Sequence, residues 1–280
     1  VKYKLPKNKN IKENAKILVI REQGVGDEIL YGTMYPDLLS KFSKAIIECD
    51  ERLIPLFKNS FDKNYSNKLV KLGTYSSSID KINNFDYVIY AGSLGKYFRK
   101  KIHNFPSNSY LKKIENYKDL ELENLLKDQK GIKIGISWKS FKNRYASEKS
   151  LTLNEFKNFF EIKDSLIFNL QYGEIKKELN SFIRDSNYKI ITLKQLDLFN
   201  NFSGLANLLS NLDFFVTVSN STAHLASALG VRTILIKPVS HASFHYWDYK
   251  NGKTPWYKNV DIISRNNLKD KEFIKKLLNF

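Results

Sequence analysis

The residues best suited to chemistry sit in short polar segments that interrupt apolar runs. Gly24-Val25-Gly26-Asp27 couples a flexible turn to a helix start. Its glycines let backbone approach a ligand, and first-turn N–H groups favour anions. A carboxylate at Asp27, kept ionised by the helix dipole, suits a general base taking a hydroxyl proton. Asp27 and the adjacent Glu28 would also serve simply to complement that dipole. The run Ser219-Asn220-Ser221-Thr222-Ala223-His224 leads into Leu225–Leu229 and Gly230. Hydroxyl and amide groups there cap a helix, and in a cleft the same groups hold a phosphate. His224 would fall in the first turn, as a ligand contact or a structural hydrogen-bonder. Lys139, Lys142, Arg144 and Lys149 follow another apolar run, opposed by Glu148 alone. Such a loop neutralises a diphosphate leaving group without metal, or it is a solvated basic face.

Other chemistries lack their residue patterns. No D-x-D triplet offers a metal site. His241 and His245 stand four apart without the glutamate of H-E-x-x-H. G-x-S-x-G and G-x-x-x-x-G-K-[ST] are absent. A dinucleotide fingerprint is met in part: Gly24 and Gly26 fit, Ile29 stands where a third small residue belongs, and Glu48 or Asp50 would be the ribose acid.

These segments need elements to position them. Runs rich in β-branched and aromatic residues predict strands at Lys16–Ile20, Ala45–Cys49, Asp86–Ala91, Ile132–Trp138, Leu166–Leu170, Tyr188–Leu193, Phe214–Val218, Thr233–Ile236 and Val260–Ile263. Helical spacing predicts helices over Glu28–Phe42, Leu111–Gln129, Leu153–Phe160, Glu174–Arg184, Phe202–Leu209, Ser221–Leu229 and Lys269–Phe280. The alternation predicts two α/β domains, residues 1–130 and 131–280, meeting near Gly131 around a cleft. Every polar segment above, together with Gly92-Ser93-Leu94-Gly95-Lys96 and Gln171-Tyr172-Gly173-Glu174, follows a predicted strand. Ligands of open parallel sheets bind at such carboxyl ends.

The 280 residues carry 46 Lys+Arg against 29 Asp+Glu, a formal charge of +17. Both halves share the excess and neither ends in a basic tail, so nucleic acid is not an expected partner. The abundance of Lys, Asn, Ile, Phe and Tyr matches AT-rich coding. One cysteine excludes a disulfide framework. No apolar run reaches the roughly 18 residues of a membrane span. A cytoplasmic protein is expected, with peripheral contact to an anionic inner membrane face allowed by its charge. Opening on Val1 rather than Met fits a portion of a longer chain.

In their order, GVGDEIL, GISWKS, SLTL, NLQYGE, SNSTAHLASALG and TPWYKNV resemble the motifs of family 9 glycosyltransferases. These are the ADP-heptose:lipopolysaccharide heptosyltransferases and a branch often fused to tetratricopeptide repeats. The resemblance runs from about Ile17 to Arg265. It implies a GT-B fold of two Rossmann-like domains, with acceptor on the first and nucleotide-sugar donor on the second. It implies inverting transfer to a glycan, lipid-linked or protein acceptor, with no metal and no cofactor beyond the donor. Asp27 matches the catalytic aspartate, with Gly24 and Gly26 in its turn. Ser221, Thr222 and His224 match the donor-phosphate motif, beside Ser219 and Asn220. Lys139 falls in the loop reaching the diphosphate, and Gln171, Trp247, Trp256 and Tyr257 fall near the donor pocket. Where the family commonly has Asp, this chain has Ser219. That exchange keeps a second reading open, a nucleotide-sugar-binding module without turnover.

Overall fold

The computed structural model describes residues 12–106, 108–127, 129–141, 146–238, 244–247 and 250–278. Four strands, β1 (Ile17–Ile20), β2 (Ala45–Cys49), β3 (Leu69–Lys71) and β4 (Tyr87–Tyr90), form a sheet in the order β3-β2-β1-β4. Six more, β5 (Ile132–Ser137), β6 (Ser165–Asn169), β7 (Ile190–Ile191), β8 (Phe214–Val218), β9 (Thr233–Lys237) and β10 (Val260–Ser264), form a second in the order β10-β9-β8-β5-β6-β7. Each pairing is parallel. Counted from β5, the second sheet runs 3-2-1-4-5-6, the doubly wound order, and the first sheet is its leading portion. The expected pair of Rossmann-like domains is therefore present.

Central strands are mainly apolar because helices cover both faces. All four residues of β1 and all five of β8 are buried. One apolar cluster runs unbroken from Ile17 and Val19 through Leu30 and Phe57 to Leu205, Ala226 and Leu235, so the two domains share a core. Each fully buried Leu, Ile or Phe in it contributes roughly 1.5–3 kcal/mol. The helix Lys271–Leu278 closes the other face of the second sheet with Ile274 and Leu278.

Several expected elements differ. The predicted helix Glu28–Phe42 is two, Val25–Gly32 and Tyr35–Lys41, the second carrying Pro36 in its first turn, where a missing N–H does no harm. Of the predicted helix Leu111–Gln129, the helical part is Leu120–Leu126, capped by Asp119. The chain before it is drawn out because Tyr110 and Leu111 both donate their N–H groups to the Ala228 carbonyl, and Asn116 turns it with a φ of 62°. Leu153–Phe160 begins as a 3-10 turn, and the strand at Tyr188–Leu193 narrows to Ile190–Ile191. The edge strand β3 and the helix Ile54–Ser60 were not expected. Among the described residues, no helix is long and apolar enough to cross a membrane.

Candidate active site

Strand order reverses between β1 and β4 in the first sheet and between β5 and β8 in the second, and crevices open there. The two crevices meet. Gly24, Val25, Gly26 and Asp27 border a cavity of about 140 Å³ from one side. Ser219, Asn220, Ser221 and His224 border it from the other, with Ser140, Lys149, Tyr172, Phe244 and Tyr246 completing the wall.

The first wall is the start of the Val25–Gly32 helix. Its Asp27 carboxylate is 5% exposed and accepts the Gly24 N–H at 3.2 Å, which fixes the turn. Gly26 presses against the other domain: a methyl group there would stand 3.2 Å from Ser221 Cα and 3.1 Å from His224 Cδ2. Its small size thus serves the meeting of two helices. Glu28 faces away from the cavity, accepting the Asp50 N–H at 2.8 Å and lying 3.0 Å from Arg21 Nε. Burial lifts its carboxyl to about 7 against the pull of Arg21.

The second wall is the Ser221–Leu229 helix. Asn220 caps it, accepting the Ala223 N–H at 2.9 Å, while its amide nitrogen donates to Ser137 Oγ at 2.9 Å. Gly230 ends it at a φ of 85°, a left-handed turn natural to glycine. Ser221 and Tyr172 both line the cavity, whereas Thr222 is buried and does not line it. His224 is held in an aromatic frame, its Nδ1 3.1 Å from the Tyr257 hydroxyl and its ring stacked on Trp247 at 4.6 Å. Trp247 in turn donates its indole N–H to Ser219 Oγ at 2.9 Å. Burial first, then the charge of Asp27, pushes the Tyr246 hydroxyl upward, leaving it neutral. Trp256 lies apart, edge-on to Phe105.

Gln171 and Lys139 are placed differently from a direct ligand contact. The Gln171 amide oxygen accepts from Ser137 Oγ, Trp138 N and Lys139 N at 2.9, 2.9 and 2.7 Å, and its nitrogen donates to the Tyr172 carbonyl. It ties the end of β5 to the end of β6. Lys139 pairs with Glu178, which also accepts the Trp138 indole N–H. The lysine at the cavity is Lys149, 3% exposed, its ammonium 3.7 Å from the centre of the Phe244 ring. In the sequence Lys149 was one loop charge among several, eleven positions past its strand. Tyr246 and Phe244 carried no signal beyond their aromatic character. Lys142, Arg144 and His241 lie outside the described residues.

The dinucleotide reading loses its ribose acid. Glu48 is wholly buried, with its carboxylate taken by the N–H groups of Gly73, Tyr75 and Ser76 and the Ser76 hydroxyl. Asp50 is clasped by Arg21 and Arg52. Among the described residues no group of three or more His, Cys, Asp or Glu converges as a metal ion would require.

No family model matches the chain. Protein FlbA of Caulobacter vibrioides is 25% identical over 263 residues, covering 88% of this chain and 42% of FlbA. The chain thus spans about two fifths of that relative. Among solved structures, the ADP-heptose LPS heptosyltransferase II of E. coli matches with a TM-score of 0.64 at 13% identity, over 94% of this chain and 97% of that one. The family 9 glycosyl transferase of Veillonella parvula DSM 2008 matches with 0.60 at 15% identity, over 91% and 88%. The chain therefore has the fold of these glycosyltransferases, two Rossmann-like domains facing each other across a cleft.

Proposed function

We propose that the chain is an inverting glycosyltransferase, working without metal, that moves a sugar from a nucleotide-diphosphate donor to a hydroxyl of a glycan, lipid-linked or protein acceptor. The observation that carries this reading is the single cavity bordered by Asp27 from one domain and by Ser221 and Lys149 from the other. Residues 1–130 would hold the acceptor and residues 131–280 the donor. Asp27 takes the acceptor proton as the hydroxyl oxygen attacks the anomeric carbon. The bond from that carbon to the diphosphate breaks on the opposite face, and the diphosphate leaves with the electron pair. Ser221, the N-terminal end of its helix and the Lys149 ammonium stabilise the leaving charge. His224, stacked on Trp247, shapes the floor between them. The ADP-heptose named for the E. coli structure supports a nucleotide-diphospho-sugar as donor class. The chemistry fits surface-glycan or lipopolysaccharide assembly on the cytoplasmic side of a membrane.

The test is transfer by wild type and Asp27→Asn across a panel of nucleotide sugars, with product anomers identified by NMR. Loss of transfer in the variant with donor binding kept is the expected result; transfer at the wild-type rate overturns the mechanism. A binding module without turnover is favoured by one observation: the hydroxyl of Ser219, where the similar family commonly has a carboxylate, is engaged by Trp247. That reading predicts donor binding by calorimetry with neither hydrolysis nor transfer.

A further inference from the structure

Outside the cavity, a chain of contacts joins the two domains along the rim of the cleft, and Arg52 is its crossing point. Arg52 follows β2 in the first domain. Its guanidinium grips Asp50 with two nitrogens, Nε and Nη2, both at 2.8 Å. The third nitrogen donates to the Phe199 carbonyl of the second domain at 2.9 Å. The same group lies 5.1 Å from the centre of the Phe199 ring and 5.3 Å from that of Phe202. Arg52 therefore bonds by charge on one side of the cleft and by carbonyl and ring faces on the other.

Both ends lead to the reacting groups. From Asp50 the chain returns through Arg21, at 2.7 Å, to Glu28, which also accepts the Asp50 N–H. Glu28 is the residue next to Asp27 on the same helix. From Phe199 the ring meets that of Tyr172 at 5.7 Å, and Tyr172 lines the cavity that Ser221 also borders. Asp197 stiffens the far end by accepting the N–H groups of Phe199 and Asn200 at 2.9 and 3.0 Å.

We infer that Arg52 is a positioning residue for the transfer reaction, holding the helix that carries Asp27 at a set distance from the helix that carries Ser221. Resting on the glycosyltransferase reading, it assigns to Arg52 no contact with donor or acceptor. Arginine suits the task because its planar fork satisfies a carboxylate with two donors while keeping a third for a carbonyl and a flat face for aromatic rings. A lysine makes one of these contacts at a time.

The test separates the latch from the activity. Spin labels at Lys44→Cys in the first domain and Lys189→Cys in the second report the inter-domain distance by double electron–electron resonance, with buried Cys49 left in place. Arg52→Ala is expected to broaden or lengthen the distance distribution, and Arg52→Lys to fall between it and wild type. In parallel, Arg52→Ala is expected to lower kcat by on the order of 10²-fold while donor KM stays within about twofold, because misplaced reacting groups slow chemistry more than binding. Arg52→Lys recovers part of that loss. A distance distribution in Arg52→Ala identical to wild type overturns the inference, and so does an unchanged kcat. If wild type turns over no nucleotide sugar, the functional reading fails and the distance measurement alone decides the role of Arg52.

Discussion

Gly26 and Ser221, one from each domain, approach so closely that a single methyl group on the first would meet the backbone of the second at 3.2 Å. Gly26→Ala is therefore expected to push Asp27 away from the donor side and reduce transfer on the order of 10²-fold. Stability should change little, because alanine favours the helix by about 1 kcal/mol and offsets the tight contact. Steady-state kinetics beside a thermal melt checks both halves.

The two lysines of the Lys139–Lys149 loop that the structure describes should behave differently. Lys149→Ala removes the ammonium at the cavity and is expected to weaken nucleoside-diphosphate binding by roughly 10- to 100-fold, the worth of a charge-assisted contact. Lys139→Ala breaks a half-exposed pair with Glu178 and is expected to change affinity by no more than about fivefold. Isothermal titration with ADP and UDP compares them. Equal losses in both variants would contradict the assignment.

Gln171 is expected to matter for the fold before it matters for the ligand. Gln171→Ala strips the acceptor from Ser137, Trp138 and Lys139 together, and leaving buried donors unpaired costs about 1–3 kcal/mol each before relaxation. A drop of roughly 2–4 kcal/mol in a urea titration is the expected result. A variant as stable as wild type would return Gln171 to the list of direct ligand contacts.

The buried carboxyl of Glu28 predicts a pH dependence of stability. Its value in the fold is about 7 against an ordinary 4.5, so the folded chain binds the proton more tightly. Stability from this group is fully present at low pH and declines as pH rises from about 4.5 to 7, by an amount on the order of 3 kcal/mol. Asp50 acts in the opposite sense at lower pH. The Arg52 hydrogen bonds hold it down at about 2, so its contribution is lost as pH falls from 3.8 toward 2. Glu28→Gln should flatten the decline between pH 5 and 7 in denaturant melts and leave the acid limb intact.

Much of this site can be read from the order of residues alone, for a definite reason. Gly24, Gly26, Asp27 and Ser219 to Ser221 follow strands at once, so the strand fixes where they point. Ser221–Leu229 and Phe202–Leu209 match their predicted bounds because each begins after an asparagine that caps it. Lys139 and Gln171 escaped the same logic. Their partners, Glu178 for one and Ser137 with Trp138 for the other, lie more than thirty positions away and become neighbours only when β5 and β6 pair. Lys149 reaches the cavity from a helical turn well beyond its strand, where spacing carries no information. The over-long helix at Leu111–Gln129 failed because local periodicity says nothing of the Ala228 carbonyl that draws Tyr110 and Leu111 out of it. At three residues, β3 is too short to leave a pattern.

The two helices that face each other across the cavity both begin there, Val25–Gly32 from one side and Ser221–Leu229 from the other. Like magnets with matching poles turned inward, their positive ends oppose each other, and Lys149 adds to the mismatch. Asp27 offsets part of it. A diphosphate seated between them would meet both helix starts at once and relieve that opposition. Its departure would restore that opposition, so the empty cavity would favour the next anionic donor over a neutral sugar.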